Sequence, residues 1–194
     1  MRGQHHEVGR DCHRQSGRNA WIARLVTVAS CVVILGSISR PGFAEDRFEV
    51  AGFLFSPPTS WVRQLGASSM RAAQFLVPNP GTRYDGLVVY YRFPPGLGGS
   101  ADRNIARWYS QFKESNEALG ATIETRGKAG HQLHYFRATG TLIGRDGELP
   151  DYALHAALLD GPAGWMFVRF VAPNAVARAN ETAFGKLIER AFGG

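Results

Sequence analysis

The second half of the chain contains four apolar stretches joined in pairs by short turns, and this pattern constrains the fold most. "ATIETRGKAG" (121–130) runs directly into "HQLHYFRATGTLIG" (131–144). "DYALHAALLD" (151–160) and "GWMFVRFVAP" (164–173) flank the turn "DGPAG" (160–164). Strand-like stretches separated by so few residues pair as antiparallel hairpins. The sequence therefore predicts two β-hairpins, the first with an irregular turn.

Three further strands are predicted in the first half. "FEVAGFLFSPP" (48–58) is an apolar strand that ends at two prolines, and "SWVRQ" follows it. "MRAAQFLVP" (70–78) is a second strand, ended by Pro78 and the turn "NPGTRYDG". "LVVYYRF" (87–93) is a third, with alternate side chains directed to opposite faces.

Two helices complete the pattern. The first is capped by Ser100 and ends near Glu114, and the second runs from about 175 to 192 with Asn174 as its cap. Their apolar positions recur at helical spacing. The first helix has Ile105, Trp108, Tyr109 and Phe112, and the second has Val176, Ala179, Ala183, Leu187 and Ala191. The order β-β-β-α-β-β-β-β-α predicts an α+β fold, an antiparallel β-sheet flanked by helices.

The first 44 residues differ from the rest. Arginines precede the apolar run "LVTVASCVVILGSIS" (25–39), and the small-residue stretch Gly42-Phe43-Ala44 follows it. This layout is typical of a secretory signal peptide. We expect residues 1–44 to be removed, leaving a single domain, 45–194, in the periplasm or secreted. An uncleaved membrane anchor and a lipid on Cys31 are the alternatives, since Val28-Ala29-Ser30-Cys31 is similar to a lipobox.

Charge and cysteine content belong largely to this N-terminal segment. Six arginines against Glu7 and Asp11 give it a net charge of +4, which leaves only +2 of the chain's +6 for residues 45–194. A charge this small argues against nucleic acid as a partner. Both cysteines, Cys12 and Cys31, precede residue 45. The expected mature domain therefore has no disulfide, no thiol nucleophile and no Cys-ligated metal.

A glycine loop before the first helix matches the dinucleotide-binding pattern G-x-G-x-x-A through Gly96, Gly98 and Ala101. Glu124, 23 residues further on, stands where a ribose-binding acid would be expected. However, two prolines separate the strand from the glycines, and Asp102 would repel a phosphate at the helix N-terminus. The pattern also requires a parallel sheet. The sequence therefore favours a simple connecting turn, and no cofactor is predicted.

Histidine and carboxylate positions give no clear catalytic or metal site. His131 and His134 are three apart on a strand and should lie on opposite faces, whereas His134 and His155 approach only if their strands pair. No G-x-S-x-G motif occurs, and Ser100 begins a helix. Glu148 and Asp151 flank a proline in a predicted loop. No catalytic, cofactor-binding or metal-binding residue is therefore assigned.

Scattered arginines and tryptophans have simple structural interpretations. The arginines are Arg71, Arg92, Arg103 and Arg107, and the tryptophans are Trp61, Trp108 and Trp165. The arginines are interpreted as surface charges, with a modest anion-binding patch as the alternative. The tryptophans are interpreted as core residues.

Several stretches resemble known proteins. "FLFSPPTSW" (53–61) resembles the opening of proteins with the Mog/PsbP-like fold. "MRAAQFLVP" (70–78), the stretch 87–112 and "PDYALHAALLDGPAGWMFVRFVAP" (150–173) are similar to uncharacterised exported bacterial proteins. The resemblance implies an antiparallel sheet flanked by helices and carries no catalytic residues. Photosystem members of this fold are extrinsic subunits of membrane complexes. Nothing in the quoted stretches indicates a photosynthetic partner, so that role is not predicted for this chain.

These observations predict an exported cell-envelope protein whose domain binds an envelope protein or a small ligand without catalysis. The alternative is an envelope hydrolase whose catalytic residues are dispersed along the chain. A cleft that joins a serine, a histidine and a carboxylate would favour the hydrolase.

Overall fold

The computed structural model describes residues 47–65, 70–79 and 86–194. All of them belong to one compact unit, Pro41–Gly194. The predicted signal peptide with Cys31 and most of the predicted turn after residue 78 lie outside the described residues. Within the described ranges, no helix is long and apolar enough to cross a membrane.

The described residues form nine strands and three helices. The strands are β1 (Phe48–Val50), β2 (Phe53–Phe55), β3 (Val62–Gln64), β4 (Arg71–Val77), β5 (Gly86–Phe93), β6 (Thr122–Lys128), β7 (His131–Gly144), β8 (Gly147–Gly161) and β9 (Gly164–Pro173). The helices are α1 (Ala101–Tyr109), α2 (Asn116–Leu119) and α3 (Asn174–Gly193).

Seven of the described strands form one antiparallel sheet in the order β3-β4-β5-β9-β8-β7-β6. The two predicted hairpins are present as β6–β7 and β8–β9. The connection through α1 and α2 carries the chain from β5, inside the sheet, to β6 at its edge. The predicted α+β fold with an antiparallel sheet is confirmed.

Both faces of the sheet are covered, which divides the protein into two cores. One face, the α3 face, packs against α3 and the β1–β2 hairpin, and the core between them includes Tyr90, Phe170 and Phe184. The other, the α1 face, packs against α1 and α2 and includes Trp108 and Phe136. Alternate strand residues enter opposite cores, which explains the continuous burial from Ala153 to Leu159.

The prediction of one continuous strand over residues 48–58 is wrong, because these residues form the β1–β2 hairpin. Ala51 and Gly52 have φ angles of +54° and +83° and connect β1 to β2. Two-residue hairpin turns of this kind need positive φ at both positions. The Ala-Gly pair is a weaker turn signal than Asn-Gly, so the apolar pattern conceals the turn.

The turn between β6 and β7 is also more regular than predicted. Lys128 pairs with His131, and only Ala129 and Gly130 separate them, both with positive φ. This is a two-residue turn of the hairpin type, and not an irregular connection. Here too alanine occupies a position that sequence preference gives to asparagine or aspartate.

The first helix is shorter than predicted. Ser100 caps α1 as expected, by accepting a hydrogen bond from the Arg103 backbone at 3.3 Å, but α1 ends at Tyr109. The chain then lies along the edge of β7, where Lys113 donates to the Thr141 carbonyl at 2.9 Å. Pairing with this open strand edge replaces the last predicted helical turn. Ser115 then caps the short helix α2.

The predicted cap and core stripe of α3 need correction. Asn174 is the first residue of α3, and its side chain donates to Asp151 at 3.0 Å, so it does not cap the helix. Val176, Leu187 and Ala191 are buried as predicted. Ala179 is exposed, and Phe184 and Ile188, which are fully buried, were not in the predicted stripe. A helix turns about 100° per residue, so these two large side chains lie on the same buried face.

Candidate functional site

A groove between α3 and the edge strands β6 and β7 is the candidate functional site, and we call it the α3–edge groove. Its volume is about 370 Å³, within the range of ligand-binding clefts. The charged and polar residues that line it are Glu124, Arg126, Tyr135, Arg137, Glu181, Thr182, Lys186 and Glu189. Strand alternation places the β6 and β7 members on one face, and the exposed side of α3 supplies the others.

Ion pairs cross this groove in a continuous chain. Arg126 binds Glu189 on α3 at 3.0 Å and Glu124 on its own strand at 2.9 Å. Arg137 contacts Glu124 and also binds Glu181 on α3 at 3.3 Å. This series of ion pairs therefore joins the sheet edge to α3 at two residues, Glu181 and Glu189, which are eight positions apart.

These ion pairs contribute little to the stability of the fold. The side chains of Arg126 and Glu189 are more than half exposed, and exposed pairs contribute at most about 1 kcal/mol each. Glu124 and then Glu189 raise the pKa of Arg126 by hydrogen bonding and charge. A charged partner can exchange with such groups at small cost, so the groove is suited to recognition more than to stability.

Tyr135 lies at the floor of the groove. The Arg137 guanidinium carbon lies 5.2 Å from the centre of its ring, which is within cation–π distance. The Tyr135 hydroxyl is buried and finds no hydrogen-bond partner among the described residues. Burial raises the pKa of Tyr135, so the hydroxyl stays protonated and can donate a hydrogen bond. A buried hydroxyl without a partner costs stability unless a ligand or water satisfies it.

His155 lies beneath the N-terminal half of α3. Its ring packs edge-on against Phe170 and Phe184, with centroid distances of 5.9 and 6.2 Å. Its Nδ1 is buried and has no hydrogen-bond partner within the described part of the chain. Burial lowers the pKa of His155, the Glu181 carboxylate opposes this shift, and the Arg137 guanidinium adds to it. The ring is therefore held in its neutral form.

We expect this burial to make the fold less stable in mild acid. Because the folded-state pKa of His155 lies below its unfolded value of about 6.5, the unfolded chain takes up the proton first as pH falls. Stability should be complete above about pH 6.5 and should fall below it until the folded-state pKa is passed. Urea unfolding at about pH 7.5 and about pH 5.5, above the carboxylate range, measures the loss. His155→Leu should reduce it, whereas His131→Gln, which keeps His155, should not. An equal loss in His155→Leu would contradict this assignment.

The structure separates the three histidines after residue 45. His131 and His155 lie on the α3 face and His134 on the α1 face, because β7 alternates and His134 pairs with Leu158. His134 and His155 therefore do not meet, although β7 and β8 are paired. Among the described residues, no group of three or more His, Cys, Asp or Glu is placed to hold a metal ion.

For a hydrolase, the described residues bring together only part of a catalytic set. Thr125 Oγ1 lies 3.0 Å from His134 Nδ1 across the β6–β7 pair, which is the spacing of a nucleophile and a base. None of the described carboxylates forms an ion pair with His134. Glu148 instead binds Lys113 at 2.9 Å, and Asp151 accepts from Asn174.

The glycine loop serves as a connector. Gly96, Gly98 and Gly99 have positive φ, and a Cβ at Gly98 would lie 3.0 Å from the Phe93 side chain. The Asn104 amide donates to the carbonyls of Gly98 and Ser100 at 2.8 and 2.9 Å, so a buried side chain fixes the loop. The adjoining strands are antiparallel, which removes the parallel context that dinucleotide binding needs.

The arginines and tryptophans singled out in the sequence differ in how exposed they are. Arg103 and Arg107 are exposed on α1, and Arg92 is exposed on β5. Arg71 is half-buried beside Tyr91. Trp61 and Trp108 are buried and Trp165 is partly buried in the cores, in agreement with the prediction.

Sequence reasoning missed the groove apart from Glu124, which was considered for another role. Its signal was the run of charged residues at alternate positions of β6, Glu124, Arg126 and Lys128. That run marks one face of an edge strand. The position of α3 across it depends on tertiary packing and leaves no local mark in the sequence.

Comparison with known proteins supports the fold. No family model and no curated protein matches the chain. The solution structure of cyanobacterial PsbP (CyanoP) from Synechocystis sp. PCC 6803 matches with a TM-score of 0.51 at 16% identity, covering 80% of this chain and 96% of that one. A Pseudomonas aeruginosa protein of unknown function matches with a TM-score of 0.43 at 13% identity, covering 74% and 92%. The chain has a PsbP-like α+β fold.

Proposed function

We propose that this protein is exported to the cell envelope and binds a partner there, without catalysis, through the α3–edge groove. The observation that carries the proposal is the Tyr135 hydroxyl, buried without a partner in a groove crossed by exchangeable ion pairs. The basic segment, apolar run and small-residue end before residue 45 support export.

The chemistry of the groove indicates what it binds. It offers a neutral hydroxyl donor, three glutamates and three basic side chains within one cleft. A ligand with charges of both signs, such as an extended segment of an envelope protein, can replace the internal pairs one by one. No described strand pairs with the outer edge of β6, which runs beside the groove and can pair with the backbone of such a segment. A small zwitterionic ligand is the alternative occupant.

The test places a photoreactive amino acid at Thr182, an exposed groove residue, in the full chain expressed in its native host. The matched control places it at Ile143, exposed on β7 away from the groove. We expect an adduct from position 182 only, in the envelope fraction, on a protein whose mature N-terminus by mass spectrometry is Glu45. The mass of the adduct identifies a protein or a small ligand.

A second comparison tests the chemistry. The double variant Glu181→Gln and Glu189→Gln removes both anchors on α3, whereas Glu148→Gln removes an ion pair elsewhere. We expect the adduct to weaken only in the double variant. Equal adducts from positions 182 and 143 would refute the groove as the binding site, and recovery from the cytosol with residues 1–44 attached would refute export.

A further inference from the structure

Arg169 is a basic residue in the middle of the sheet. It lies on β9 between Val89 of β5 and Ala156 of β8. Phe167, two residues earlier on the same face, belongs to the core beneath α1. The Arg169 side chain is therefore on the α1 face, opposite the α3–edge groove.

Among the described residues, the hydrogen-bonding groups beside this guanidinium are neutral. Arg169 Nη2 donates to the Gln111 side chain, just beyond α1. The Tyr91 hydroxyl, on the neighbouring strand, is its other hydrogen-bonding neighbour. Arg169 Nε is buried, and no described residue accepts a hydrogen bond from it. Among the described residues, no carboxylate forms an ion pair with Arg169.

A second guanidinium lies on the far side of Tyr91. The Arg71 guanidinium carbon is 6.0 Å from the centre of the Tyr91 ring. Its Nη1 donates to the Gln74 side chain at 3.0 Å, again a neutral acceptor. Within the described ranges Arg71 also makes no ion pair with a carboxylate. The two arginines thus share one aromatic neighbour, and no described carboxylate balances their charge there.

The unbalanced charge has an energetic cost. Burial lowers the pKa of Arg169, the Tyr91 side chain opposes this, and the nearby Arg71 lowers it further. Arginine cannot relieve the strain by losing its proton. Buried charges in proteins are normally paired. An anion from outside the chain would satisfy both guanidinium groups.

We propose that Arg71, Tyr91 and Arg169 form a binding site for a small oxyanion, a phosphate or a carboxylate group. The planar guanidinium groups can each offer two parallel N–H donors to such oxygens. The Tyr91 hydroxyl and the free Arg169 Nε supply further donors. The site is independent of the groove, because the sheet separates them.

The experiment follows the Arg169 Nε–H signal of the ¹⁵N-labelled protein by NMR during titration with inorganic phosphate and, separately, with acetate. Sodium chloride at equal ionic strength is the reference. We expect a saturable shift with one or both oxyanions and none with chloride. The tighter of the two identifies the oxyanion class.

Variants distinguish a site from general charge. Arg71→Gln, at a half-buried position, should weaken binding about tenfold or more, the value of a charge-assisted hydrogen bond. Arg92→Gln removes the same charge from the next residue after Tyr91, on the opposite face of the sheet, and should bind as the wild type does. A shift that chloride reproduces, or an Arg71→Gln protein with unchanged affinity, would overturn the proposal.

Discussion

Phe170→Ala is expected to lower the free energy of unfolding by about 3–5 kcal/mol, the range for a large aromatic side chain removed from a core. Phe170 is fully buried on β9. Its ring packs against Trp61, His155 and Phe184, with centroids 5.5 to 6.0 Å away. It thus joins the segment before β3, the centre of the sheet and α3. The loss would leave a cavity among residues that belong to three separate parts of the chain.

Urea denaturation monitored by circular dichroism measures this effect. Leu54→Ala is the control, because Leu54 is 55% exposed on β2 and its truncation should change stability by less than about 0.5 kcal/mol. Phe170→Leu should lie between the two, since it retains most of the buried volume. If Phe170→Ala lost no more than Leu54→Ala, the description of the α3-face core would be wrong.

The fold class was predictable because hairpins leave a local signal. The paired apolar stretches from Thr122 to Pro173 contain their own turns, so pattern and topology agree. The missed hairpin at Ala51-Gly52 shows the limit of that signal. There the turn is imposed by packing, since Phe48 and Phe55 stack at 5.6 Å over the sheet. Tertiary contacts overrode a weak local preference for continued strand.

The two proposed binding sites were harder to predict, because each combines residues from distant segments. The α3–edge groove needs β6 and β7 to meet α3, and Glu124 is 57 and 65 residues from its helix counterparts Glu181 and Glu189. The Arg71–Arg169 cluster brings together residues 98 positions apart. The sequence contained Arg71 as a candidate for an anion patch but gave no reason to pair it with Arg169. The two residues come close together only because β5 lies between β4 and β9 in the sheet.

The sheet separates these two sites, and this arrangement follows from the burial of both faces. Each face of the sheet packs against its own helices, so side chains on opposite faces cannot share a ligand. The groove lies between α3 and the β6 edge, and the arginine cluster lies on the α1 face, along β4, β5 and β9.

Gly164→Ala is expected to destabilise the fold by about 2–6 kcal/mol, the sum of about 1–3 kcal/mol for strained backbone and about 1–3 kcal/mol for overpacking. Gly164 begins β9 with φ of +109°. An added Cβ would collide with the Phe93 carbonyl oxygen and lie 2.9 Å from the Pro94 carbonyl carbon and 3.0 Å from the Pro95 nitrogen. These are backbone atoms at the end of β5, which cannot move without disturbing the β5–β9 pair.

Gly130→Ala separates the cost of backbone strain from the cost of overpacking. Gly130 has φ of +82° but open space around it, so this variant should lose only about 1–2 kcal/mol of unfolding free energy. Thermal and urea unfolding of both variants measure the difference. If the two variants were equally stable, the close approach of β9 to the Phe93–Pro95 backbone would be refuted.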